Sequence, residues 1–291
     1  MSGVTRVAAF LVVLAVVFGA ALVIGRYAGP DDAASTSHDD GHASDDGHDA
    51  HDDSAGQAED DYRLELAEDS FEAGTRQVAF SVTRAGQPVT DYDVVHEKRL
   101  HLIAVREDLE GYQHVHPELD GDGTWTVGLD LRPGAWWLYA DAQPQGAQAM
   151  TLTDSVVVDG EGTGAEPAHG VRRTSSVDGY RVTLDGDLAA GGASTLTPRV
   201  TRDGVDVTDE LQPYLGARGH LVALRHDDLA YLHVHPEGLD FHTDVPRAGS
   251  YELFLDFKHE GVVRTARFTL ATDSPATEGG GATTDEDHHD H

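Results

Sequence analysis

The feature that most constrains this chain is an internal duplication. Tyr-Arg-Leu-Glu-Leu at 62–66 matches Tyr-Arg-Val-Thr-Leu at 180–184, and Val-Thr-Arg-Ala-Gly at 82–86 matches Val-Thr-Arg-Asp-Gly at 200–204. His-Leu-Ile-Ala-Val-Arg at 101–106 matches His-Leu-Val-Ala-Leu-Arg at 220–225. His-Val-His-Pro-Glu occurs at both 114–118 and 233–237. Residues 134–141 match 249–256, and the order holds throughout apart from a one-residue insertion and a short deletion. So many matches in order mean two copies of one structural unit. The copies occupy 62–160 and 171–275, joined by a Gly/Glu/Pro-containing linker at 161–170.

Each copy reads as all-β. In the first, short alternating or apolar runs fall at 62–66, 78–83, 100–106, 112–116, 124–129, 135–140 and 151–158, with Gly86, Gly111, the Asp-Gly-Asp-Gly at 120–123 and Pro133-Gly134 between them. About seven short strands in about 100 residues fit an immunoglobulin-like β-sandwich. Neither copy contains an amphipathic helical pattern. Trp136 and Tyr139 fall on opposite faces of one strand and read as packing residues, as does Trp125.

Outside the copies the composition changes. Residues 7–24 are an unbroken apolar and small-residue run between Arg6 and Arg26. That length is near the lower limit for spanning a bilayer, so residues 1–28 read as an uncleaved signal anchor; a cleaved signal peptide is the alternative. Residues 29–61 form an Asp/Gly/Ala/Ser/His tether without apolar periodicity, expected to be disordered. Residues 276–291 share that composition. No positive charge follows Arg26 until Arg63, as expected on the side away from the cytoplasm. The expected arrangement is a single-pass protein in the cytoplasmic membrane with its bulk outside, or a secreted one if the segment is cleaved.

The formal charge of -32 argues against nucleic acid and anionic lipid surfaces and favours cationic partners, metal ions among them. The absence of cysteine excludes disulfides, thiolate metal sites and Fe–S clusters, and Met150 is the sole internal methionine. Any metal chemistry must therefore use nitrogen and oxygen donors.

Histidine supplies them. His114 and His116 lie two apart, so in a strand they share a face. If the hairpin turns about Asp108 and Leu109, Ile103 stands opposite His114 and His101 opposite His116. Opposed residues share a face with Cβ atoms about 4.5–5.5 Å apart, so the three imidazoles converge. A one-residue slip would scatter them. The second copy repeats the spacing with His220, His233 and His235, and a second triad is expected there. Three imidazoles suit Zn(II) in tetrahedral or Cu(II) in tetragonal geometry, with copper ahead on raw affinity. A fourth ligand could be water, Glu118, Glu237, Asp141, Asp256 or His96, which has no histidine counterpart in the second copy. The histidines of the tether, His38, His42, His48 and His51, alternate with aspartates, a weak metal-collecting composition.

No Gly-x-Ser-x-Gly elbow, phosphate-binding glycine loop or His-Glu-x-x-His motif occurs, so a non-enzymatic metal-binding or buffering protein is the leading expectation, with protein partner unknown. An adhesion or scaffold module with structural histidines, and a histidine-based pH sensor, are the other readings.

With the blocks at 96–106, 112–117, 214–225 and 229–236, the chain resembles a group of actinobacterial exported or membrane-anchored proteins described as heavy-metal-binding domain-containing. The resemblance spans about residues 60 to 272. It implies an extracytoplasmic β-sandwich linked to metal, without an assigned activity. The Trp136-Trp137 pair departs from the group's pattern and does not touch the proposed ligands.

Overall fold

The computed structural model describes residues 61–161 and 170–273. The expected membrane segment, the tether and the acidic tail lie outside those residues. Among the described residues, no helix is long and apolar enough to cross a membrane.

Each copy folds as a sandwich of two sheets. In the first copy, one sheet runs Tyr62–Leu66, Gly74–Arg84, Thr124–Leu131, Glu118–Leu119, with Gln87–Pro88 paired beside the long second strand. Its partner runs Ser70–Glu72, Met150–Asp159, Gly134–Ala142, Leu100–Arg106, Gln113–Val115. The second copy repeats both sheets and adds an outer strand, Thr174–Val177. The described helical content is one 3₁₀ turn, Thr208–Glu210. Two all-β, immunoglobulin-like repeats are therefore what the chain forms.

Alternation builds each core. Leu100, Leu102 and Ala104 point between the sheets of the first copy, against Phe80, Trp125, Trp136 and Leu138. Leu221, Ala223, Leu253, Phe257 and Phe268 do the same in the second. What alternation does not explain is that Leu100–Arg106 is buried on both faces up to Val105. The outward residues of that strand, Ile103 and Val105, join Leu109 and Tyr139 in a third apolar cluster with Val222, Leu224, Leu229 and Phe254. The two copies thus dock through matched sheet faces, in the manner of an isologous dimer carried in one chain. Tyr112 stacks on Phe254 at 4.0 Å between centroids, and Tyr231 lies 5.6 Å from Tyr139. The Tyr139 hydroxyl donates to the Leu229 carbonyl at 2.6 Å. Arg267 bridges Glu110 of the first copy and buried Glu252 of its own.

The turns feeding this seam are duplicated too. Leu109 and Leu229 adopt φ of +60° and +56°, where a branched side chain is strained. Both are buried in the seam, and burying a leucine contributes roughly 1.5–3 kcal/mol, enough to offset the strain. Arg106 clamps Asp108 and Arg225 clamps Asp228 beneath the same turns.

A candidate metal centre at the seam

The first hairpin has the register that convergence requires. Leu102 pairs with Val115, Ile103 with His114 and Ala104 with Gln113. His101 points away from the first core, on the face of Ile103 and Val105. It stands beside Asp141 on the next strand. Candidate ligand atoms of His101, His114 and His116 lie within 4.8 Å of one another. The ring centroids are 5.3 Å apart for His101 and His114, and 5.0 Å for each of the other two pairs.

The hydrogen bonds fix which nitrogens carry protons. His101 Nε2 sits 3.2 Å from the Val95 carbonyl, which can only accept, so that nitrogen is protonated. His114 Nδ1 sits 2.8 Å from an Asp256 carboxylate oxygen, so it too donates. In the neutral rings, the remaining atoms are His101 Nδ1 and His114 Nε2. These are two lone pairs facing each other at 3.1 Å. His116 Nε2 is buried with no hydrogen-bond partner, a state that costs about 1–3 kcal/mol. A cation among these three nitrogens would satisfy all of them. Outer hydrogen bonds from metal-bound imidazoles to a carboxylate or a backbone carbonyl are the usual support of such sites.

Burial keeps His101, His116 and His220 neutral, as ligation requires. Burial lowers the His101 pKa to about 4, with the bond to Val95 opposing and the His114 and His96 rings assisting. Burial, then His114 and His101, lowers His116 to about 3. Burial and the same rings hold His220 well below the ordinary range.

The second copy departs from expectation. His220, His233 and His235 do not converge on a site of their own. The second hairpin pairs only Ala223 with Leu232 and Leu224 with Tyr231. The chain then crosses to the opposite sheet two residues sooner than in the first copy, and His235 pairs with His242 there. The reason lies in the next turn. Glu237 and Asp240 flank a two-residue turn with Gly238 at φ +66°, which extends that ladder back to His235. In the first copy the corresponding turn is the longer Asp-Gly-Asp-Gly, braced by Asp120 accepting from the Asp122 and Thr124 amides. It leaves His116 free to stay with His101.

The other candidates are also redistributed. His220 joins the first copy's cluster, 5.4 Å from His101 and nearly parallel to it, and 4.6 Å from His114. His96, at φ +48°, packs at the margin, 6.2 Å from His101 and 6.1 Å from His220. Asp256 supports His114 across the seam and is only 2% exposed; Tyr112 and Thr265 also donate to it. The symmetry-related contact, His233 with Asp141, is looser at 3.9 Å, and His233 is 46% exposed against 2% for His114. Burial raises the Asp141 pKa against the pull of His233. Glu237 reaches His242 at 3.3 Å. Glu118 is exposed in the sheet opposite the cluster, beside Thr126.

Sequence reasoning missed two contributors: the Val95 carbonyl, and the role of Asp256 as an outer partner across the seam. One signal was present. Strands apolar at consecutive positions, as in 102–105 and 221–224, indicate burial on both faces, and the histidines lie on the outward one.

Fold and cluster together define a tandem β-sandwich protein with a buried imidazole cluster where its repeats meet. The chain belongs to the family DUF8832, described as a domain of unknown function, which it matches twice, over residues 57–159 and 175–274. Comparison with curated proteins gives no match. Similar solved structures include the Escherichia coli adhesin FdeC, at 16% identity over 74% of this chain and 64% of that one, with a TM-score of 0.23. A two-domain fibronectin type III segment of chicken tenascin is 10% identical over 72% of this chain and 99% of that one, at 0.22. The Yersinia pseudotuberculosis adhesin InvE is 12% identical over 72% and 59%, at 0.21. The chain thus spans less than two thirds of either adhesin structure. Scores this low carry no argument, and the sandwich class rests on the strand arrangement itself.

Proposed function

We propose that this chain is a non-catalytic binding protein for a divalent transition metal, zinc or copper, held outside the cytoplasmic membrane by its N-terminal segment. The observation that supports it is the approach of His101 Nδ1 and His114 Nε2 to 3.1 Å beside the unpartnered His116 Nε2; with both rings neutral and their other nitrogens donating to Val95 and Asp256, neither facing nitrogen carries a proton. A purely structural cluster would place a donor opposite an acceptor. The His/Asp-rich tails would collect ions weakly and the seam would hold one tightly.

A scaffold or adhesion module is the second reading. What favours it is that the same histidines help join the repeats, through His114 and Asp256. Elemental analysis and calorimetric titration of the full chain separate the two. The metal reading expects one tight equivalent in the wild type, absent in His116→Ala and retained in His38→Ala. Equal binding by the wild type and His116→Ala would leave the scaffold reading.

A further inference from the structure

Resting on that metal reading, we infer that the site is shared between the repeats, with His220 of the second copy as fourth nitrogen donor and a tetrahedral ion, zinc rather than copper(II), as its occupant. Four imidazoles on a tetrahedral ion with bonds of about 2.0–2.1 Å place neighbouring ring centroids about 5 Å apart. The three pairs within the first copy stand at 5.0–5.3 Å, and His220 stands at 4.6 and 5.4 Å from His114 and His101; it lies outside the trio whose nitrogens come within 4.8 Å of one another, so its ring must swing towards His116 to close the sphere. A water or carboxylate fourth ligand would need no such ring.

Three further observations agree. His220 holds the position in its strand that His101 holds in the other, and the docking of the sheet faces brings the two rings into contact. Its register partner on the adjacent strand is Asp256, the outer support of His114. The second copy therefore contributes both a donor and an outer carboxylate. Its own hairpin cannot make a site, because His235 has left for the other sheet. The duplication has become a division of labour, in which one repeat presents three donors and the other closes the sphere.

Two consequences follow. A closed four-nitrogen sphere has no open position for a substrate, so the ion is held and not used as a Lewis acid. The ion also ties the repeats together, so its binding energy adds to the stability of the seam. Four imidazoles set tetrahedrally favour zinc over copper(II), whose preference is tetragonal.

Cobalt(II) alone, added to the full chain and followed by visible absorption, tests this. The wild type should give the intense bands of a tetrahedral ion at one equivalent. His220→Ala should still bind through the first-copy trio, roughly 10- to 100-fold more weakly. It should show the faint spectrum of a five- or six-coordinate ion, and added imidazole should restore the tetrahedral bands. Restoration also establishes that the variant is folded. An unchanged spectrum and affinity in His220→Ala would overturn the shared site while leaving metal binding intact. Wild-type binding indistinguishable from that of a His101→Ala/His116→Ala double variant would overturn both.

Discussion

Asp256 is where residue-level chemistry is most exposed to test. Its carboxylate is nearly solvent-free and accepts from His114, Tyr112 and Thr265. Asp256→Asn keeps the shape but loses the charge that fixes the His114 tautomer. Loss of an outer partner of this kind typically costs 10- to 100-fold in metal affinity, and calorimetry should show that loss. Asp141→Asn should have little effect, since its contact is long and half open to water. The histidines also set an acid limit. In an unfolded chain imidazole titrates near about 6.5, whereas His101 in the folded protein titrates at about 4 and His116 at about 3. Between those values the unfolded chain binds more protons, so falling pH favours unfolding. Metal-free protein should hold its full stability above about pH 6.5 and lose it progressively towards pH 4 and below, with a slope of up to about 1.4 kcal/mol per pH unit from His101. Urea unfolding at a series of pH values measures this. Flat stability from pH 7 to 4.5 would contradict the neutral, buried cluster.

At the scale of elements, the strands Leu100–Arg106 and His220–Arg225 each serve two cores at once. Their inward residues hold a sandwich together and their outward residues hold the sandwiches to each other. A charge on the outward face should therefore separate the repeats while leaving each folded. Val222→Asp places an unpaired carboxylate against Ile103, Val105 and Phe254, a change expected to cost about 3 kcal/mol or more. Hydrogen exchange should report new opening of the two seam strands, with Val182, Val200 and Phe268 of the second core still protected. Tight metal binding should vanish with the seam. Protection unchanged at the seam would mean that the two faces dock less firmly than their burial indicates. Leu109→Ala probes the turn: it removes a fully buried side chain at strained φ and should cost about 2–5 kcal/mol by cavity formation, read from the urea midpoint.

For the whole molecule, metal and docking are linked equilibria. Whatever binds only the docked, folded state stabilises it by mass action, by about 4 kcal/mol at a thousandfold excess over Kd. Zinc should therefore raise the melting temperature of the wild type in a concentration-dependent way, and should raise that of Val222→Asp much less even though its histidines are intact, because only the weaker first-copy trio remains. A rise of equal size in both would place the ion within one repeat and not between them.

The repeat, the strand content and the first hairpin's register are legible in the sequence because they are local. Alternation follows from the two-residue period of a strand, and the His101, His114 and His116 spacing follows from one short hairpin whose pairing the turn dictates. The departure of the second triad was legible only in part. It turns on whether a two-residue Gly238-Leu239 turn draws the preceding chain into the other sheet, a competition between two ladders that spacing alone does not resolve. Consecutive apolar residues at 102–105 and 221–224 indicate that both faces of those strands are buried, yet not what covers the second face. That was decided by tertiary structure. Docking of two matched faces is set by the shapes of Leu109, Tyr139, Leu229 and Phe254 in three dimensions. It brings His220 beside His101 and Asp256 beside His114, pairs separated by more than a hundred residues, and no local period connects them.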